Sequence, residues 1–247
     1  MKKDIAENPS EYEQGQNFSK INSLLHARRY SVLMKLIKQF QSGRSETSPI
    51  RILDIGCGAA KVFSVLNPSF NIHYTGIDYK SRHATVATER YGNQSNFKYI
   101  NDLVQNHFED IHDYDVITCF ETCEHIPEAD VVRIIESIAK SRPKLFVCSV
   151  PNEQGPIISV KNFGSMLIGW RRHKEYSFAE TIKASLYMQD SIPRHTTEHK
   201  GFDWRWLAQT IRHNMIIRKI HRSPGNFLPC FMSPSILFEC ISDKDKL

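Results

Sequence analysis

Apolar residues Ile21, Leu24, Leu25, Val32, Leu33, Leu36, Ile37 and Phe40 recur at steps of three and four, which predicts an amphipathic helix over 18–40. Residues 1 to about 17 are polar and aperiodic and predict a loosely docked arm. Past the loop ended by Pro49 the pattern changes. The short apolar runs RILDI, HYTGID, FKYI, DVITCF and KLFVCSV alternate with helix-like stretches at 59–66, 81–91 and 131–141. That alternation predicts a parallel sheet covered by helices on both faces, with five strands by Val150. DVITCF and KLFVCSV are nearly continuous apolar runs, as central strands buried on both sides require. From 151 to about 200 Pro, Gly and an amphipathic piece break the rhythm, and an inserted cap is expected there, with a helix near 177–188. GFDWRWLAQTIRH then predicts a helix capped by Asp203, and MIIRKIHR with SILFECIS an antiparallel closing hairpin. The expected organisation is an N-terminal arm and helix over 1–48 and one α/β domain over 49–247.

The chain has 247 residues, 40% hydrophobic and 24% charged, which excludes a wholly disordered, collagen-like or coiled-coil protein. A net charge of +5 is compatible with an anionic ligand or membrane surface and does not demand nucleic acid. The six cysteines form no CxxC pair and read as reduced thiols. No apolar stretch follows the first lysines and none reaches the length of a membrane span, so the cytoplasm is the expected location. Arg171, Arg172, His173 and Lys174 directly follow an apolar stretch that ends in Trp170. Such a pairing can seat on an anionic membrane through 157–174 or grip a phosphorylated substrate.

Asp54, Gly56 and Gly58 fall at the carboxyl end of the first strand, where an open α/β sheet places its ligand crevice and glycines let backbone and ligand approach. The dinucleotide pattern GxGxxG needs a third glycine where Lys61 stands, so NAD fits poorly. Asp78 ends the second strand, where a carboxylate can accept both hydroxyl hydrogens of a ribose. LDIGCG at 53–58 and GID at 76–78 resemble the first motif and the acidic second-strand end of the class I S-adenosylmethionine-dependent methyltransferases, over about residues 50–151. The resemblance implies a Rossmann-like, mostly parallel sheet and S-adenosylmethionine as cofactor. It puts Gly56 and Gly58 under the methionine part, Asp78 at the ribose, and Asp102 with Leu103 beside the adenine, and Asp54 at the same strand end is expected to join them in the cofactor site. Ala60 stands where that family often has a third glycine.

Glu121, Glu124 and His125 lie just past the fourth strand, on a loop expected to face the crevice. YDVITCFETCEHIPE resembles the corresponding segment of ubiquinone-pathway O-methyltransferases and of many small-molecule or sugar methyltransferases. This makes His125, with Glu121, the candidate catalytic pair: a hydroxyl attacking a sulfonium methyl loses its proton, and imidazole accepts protons near neutrality. ExxEH at 121–125 with His199 in TEHKGFDW also resembles the metal site of small-RNA 2′-O-methyltransferases, which implies a divalent cation on Glu121, Glu124, His125 and His199. A metal-free base and a bound ion both stand at this point. The expected acceptor is a hydroxyl of a small molecule, glycan or lipid-linked intermediate; an RNA 2′-hydroxyl and a non-catalytic binding protein are the alternatives.

Overall fold

The computed structural model describes residues 20–42, 48–167, 176–196 and 199–242. The polar arm at 1–17 and the basic cluster Arg171, Arg172, His173 and Lys174, with Trp170, lie outside the described residues. In chain order the elements are α1 (Lys20–Gln41), β1 (Ile50–Ile55), α2 (Lys61–Leu66), β2 (Ile72–Ile77), α3 (Ser81–Tyr91), β3 (Phe97–Ile100), β4 (Val116–Phe120), α4 (Glu128–Ser141), β5 (Leu145–Pro151), α5 (Pro156–Leu167), α6 (Phe178–Ser185), α7 (Trp204–Asn214), β6 (Met215–Ser223) and β7 (Ser235–Ser242).

Seven strands form one sheet in the order β3-β2-β1-β4-β5-β7-β6. Strands β1 to β5 are parallel, and β7 runs antiparallel to both neighbours. The expected closing hairpin is present, with the last strand inserted between β5 and β6. Period-two alternation feeds two cores. Leu53 and Ile55 of β1 and Phe146 of β5 join α4 and α7 on one face through Ile134, Ile138, Leu207 and Ile211. Ile50 and Ile52 of β1 and Val147 of β5 meet α1 and α2 on the other through Leu33, Ile37, Phe63 and Leu66. Helix α1 is therefore part of the cover of the sheet, sharing its core with β1. After β3 the chain crosses to the far side of β1 to begin β4, so the sheet has its topological switch point between β1 and β4, where α/β sheets bind ligands.

Local sequence sets the ends of the elements. Asp203 caps α7 by accepting from the amides of Arg205 at 2.7 Å and Trp206 at 3.4 Å. Ser177 and Glu180 form a reciprocal capping box that starts α6 one residue inside the expected 177–188, and that helix stops at Ser185. The segment between β5 and α7 is clamped by a buried polar strap. Glu153 is fully buried, its carboxylate 3.2 Å from the Lys161 ammonium, which also donates to the Asn152 carbonyl at 2.7 Å. Gln189 donates to the Glu153 carbonyl at 3.1 Å, and Asn152 donates to the carbonyls of Cys230 and Ser233.

Ala60 takes the left-handed conformation, φ 57° and ψ 44°, and is completely buried. It occupies the backbone state that a third glycine would favour. Glycine there removes about 1–2 kcal/mol of left-handed strain but forfeits about 0.8 kcal/mol of methyl burial and about 0.4–1 kcal/mol through added freedom of the unfolded chain. Ala60→Gly is thus expected to leave stability nearly unchanged in urea denaturation. Ala60→Val, β-branched and overpacked, should cost about 2 kcal/mol or more.

Candidate active site

A cleft of about 830 Å³ opens at the carboxyl ends of β1, β2 and β4. Its walls include Asp54, Gly56, Gly58, Asp78, Asp102, Leu103, Glu121, His125 and His199. Glu124 lies behind this wall, fully buried.

Gly56 has φ 68°, and a Cβ built there would stand 2.2 Å from Oγ1 of Thr122. The glycine is needed because the β1 turn passes hard against the chain leaving β4. Asp78 accepts from the amides of Gly58 at 3.0 Å and Lys80 at 2.8 Å, and lies 3.4 Å from Nδ1 of His83. Burial favours its neutral form, but the nearby His83 imidazole and the two amide hydrogen bonds prevail and hold its pKa below the ordinary carboxylate range. Asp78 is therefore ionised at neutral pH and can only accept. Beside it Tyr79 is 59% exposed, and Leu103, which also lines the cleft, is 45% exposed. Two large side chains left open along one cleft suit a flat, largely apolar group. Asp102 accepts from the Leu103 amide, Asn106 and His107, the first at 2.8 Å, and these bonds lower its pKa. Asp54 has a different character. It receives hydrogen bonds from Thr118 at 2.6 Å and Tyr74 at 2.8 Å, and burial pushes its pKa up to about 7.

The cluster after β4 divides in two. Glu121 has φ 48°, and its Oε1 accepts from Ser149 at 3.0 Å and Ser235 at 3.1 Å and lies 3.6 Å from Nη2 of Arg29. It ties β4, β5, β7 and α1 together at the cleft wall. Glu124 turns the other way. Its Oε1 lies 4.0 Å from Nε2 of His125 and 3.9 Å from Nε2 of His199, and neither carboxylate oxygen has a hydrogen-bond partner among the described residues. Burial, then the nearby charge of Glu121, raises its pKa well above that of an ordinary carboxyl. Nδ1 of His125 lies 2.9 Å from the Thr196 carbonyl. A carbonyl only accepts, so Nδ1 donates to it and Nε2 is the ring nitrogen left for other contacts. Donor atoms of Glu124, His125 and His199 all lie within 4.8 Å of one another; Glu121 is not in this group.

Arg29 and Tyr30 of α1 also line the cleft. The signal for Arg29 lies in the helical pattern: apolar positions run 21, 25, then 32, 33 and 36, and a buried arginine fills the gap in that stripe.

A family model described as a methyltransferase domain matches residues 24–215, more than three quarters of the chain. The chain belongs to the class I methyltransferase family. S-adenosylmethionine is the cofactor of that class. Among curated relatives, a ubiquinone biosynthesis O-methyltransferase of Aeromonas salmonicida is 30% identical over 155 residues, 62% of this chain and 56% of that protein. One from Hydrogenovibrio crunogenus is 35% identical over 116 residues, 44% of this chain and 43% of its own. The matched segment thus spans about half the length of these relatives. The fold is shared with the methyltransferase domain of a bacterial Hen1, at TM-score 0.60 and 15% identity over 88% of this chain and 99% of that one. It is shared also with magnesium protoporphyrin IX methyltransferase from Synechocystis, solved with bound SAH, at TM-score 0.60 and 10% identity over 96% of each chain. No described helix of this methyltransferase is long and apolar enough to cross a membrane.

The ionised Asp78 and the open rims of Tyr79 and Leu103 fit the ribose and adenine of the family's cofactor. Asp78→Ala removes a charge-assisted acceptor and is expected to weaken S-adenosylhomocysteine binding by about 1–3 kcal/mol, read by calorimetry. Unchanged affinity would remove Asp78 from the cofactor site.

Proposed function

We propose that this chain transfers the methyl group of S-adenosylmethionine to a hydroxyl of a small organic acceptor, with a divalent cation held by Glu124, His125 and His199. The observation that carries the cation is the buried Glu124 carboxylate: neither oxygen has a hydrogen-bond partner among the described residues, and Oε1 lies 3.9–4.0 Å from two imidazole nitrogens. Such a carboxylate is costly unless it is protonated or ligates. A cation held there would supply a Lewis acid to ease loss of the acceptor hydroxyl's proton. The residues of the chain do the rest. Asp78 and the glycine turn orient the cofactor, the Thr196 carbonyl fixes the His125 tautomer, and Glu121 with Arg29 stiffens the wall behind the reacting groups. The cofactor carries its own activated leaving group, so positioning and removal of the hydroxyl proton are the protein's main tasks.

The ubiquinone-pathway relatives support O-methylation of a small molecule. A lipid-linked acceptor draws support from an apolar stripe at Phe178 and Ile182 of α6 and Leu186 just past its end, spaced i, i+4, i+8 and 83%, 44% and 64% exposed, beside Val160 and Phe163 of α5. The test is label transfer from S-adenosylmethionine to phenols, glycans, polyprenyl-linked acceptors and short RNAs, before and after chelation. Transfer to a small hydroxyl compound, lost on chelation and restored by a divalent ion, is the expected result. Transfer that ignores the chelator would leave His125 as a metal-free base, and transfer to RNA alone would replace the small-molecule reading.

A further inference from the structure

Beneath the turn that carries Glu124 and His125, three cysteines converge on one point in the core. Cys119 of β4 and Cys148 of β5 are in-register partners on adjacent parallel strands, so their side chains leave the sheet on the same face. Cys123, on the one-turn helix Cys123–His125, closes over them. Its Sγ lies 3.5 Å from that of Cys119 and 3.9 Å from that of Cys148, and all three sulfurs lie within 4.8 Å of one another. All three are free thiols and at most 1% exposed.

We propose that Cys119, Cys123 and Cys148 form a second metal site, one that takes a soft thiophilic cation of the copper(I) or cadmium class. A metal–sulfur bond of about 2.3 Å sets sulfurs roughly 3.8 Å apart across a tetrahedral angle and about 4.0 Å apart in a triangle, so the observed spacing already approaches a thiolate triangle. Three sulfurs with no oxygen or nitrogen among them select soft ions over magnesium or calcium. Each bond forms as its thiol loses a proton to water, with no change of oxidation state. The ion enters by local opening of the turn, so binding is slow. Because Cys123 adjoins Glu124, drawing its sulfur into the triangle shifts the carboxylate and His125 and slows transfer; this consequence alone rests on the functional reading above.

The test is titration of the full chain with cadmium, following the thiolate-to-cadmium charge-transfer absorption. One equivalent should produce the band in the wild type, and Cys148→Ala and Cys119→Ser should each lose most of it, with Cys57, Cys230 and Cys240 unchanged as internal controls. X-ray absorption at the cadmium edge of the wild type should count three sulfur neighbours, a readout that needs no variant. Cadmium should slow transfer by about tenfold or more in the wild type, as disturbance next to a ligand shell does, and spare Cys148→Ala. A missing band, a band that survives both variants, or a nitrogen- and oxygen-rich shell would overturn the site. Three-sulfur binding without inhibition would uphold the site and count against the role assigned to His125.

Discussion

Replacing His125 by alanine is expected to lower methyl transfer by about 10²- to 10⁴-fold, or roughly 2.7–5.5 kcal/mol of activation free energy, with little change in cofactor affinity. The imidazole lines the cleft with Nδ1 bound to the Thr196 carbonyl, so Nε2 is the atom offered to a proton or an ion. Either role is lost with the ring. The cation reading makes a further demand. His199→Ala should reproduce most of the loss, because His199 stands as close to Glu124 as His125 does, and manganese or magnesium should restore chelated wild type but neither variant. Steady-state rates with and without chelator settle the matter. An active His125→Ala enzyme with ordinary turnover would leave positioning as the whole mechanism.

Lys161→Met is expected to destabilise the fold by about 1–3 kcal/mol, the cost of removing a charged donor from a buried carboxylate that keeps the Tyr176 hydroxyl. Glu153 is fully buried, and the Lys161 ammonium is its charged neighbour at 3.2 Å, with the Tyr176 hydroxyl donating at the longer distance of 3.4 Å. The double variant Lys161→Met, Glu153→Leu should recover much of the loss, since the buried carboxylate is removed together with its cation. Urea denaturation of the two variants measures this directly. If Lys161→Met costs less than about 1 kcal/mol, the strap is not what holds the inserted segment to the sheet.

Where local chemistry decides the structure, the sequence is readable. RILDI followed by GCG can only be a buried strand ending in a tight turn, and Asp203 ahead of an amphipathic run can only cap α7; both are found. The shared face of Glu124, His125 and His199 was legible as ExxEH plus one distant histidine. What escaped depends on packing between segments far apart in the chain. Glu121 belongs to the same motif, yet its left-handed backbone turns it to Ser149, Ser235 and Arg29, partners that no local pattern reveals. Arg29 reads as a flaw in a helical stripe until the cleft is seen beside it. The break in rhythm after β5 is visible in the sequence, but the buried strap at its start is not, because Asn152, Glu153 and Gln154 look like an ordinary polar turn and are in fact buried.

The cleft at the β1–β4 switch point is where the methyl donor is expected to bind. A crystal structure of the full chain soaked with S-adenosylhomocysteine tests that most directly. The predicted density has the ribose hydroxyls on the Asp78 carboxylate, the adenine between Tyr79 and Leu103, and the homocysteine tail over Gly56 and Gly58, with the sulfur directed toward the side of the cleft that carries His125. Density in any other place, or an empty cleft at saturating ligand, would contradict it.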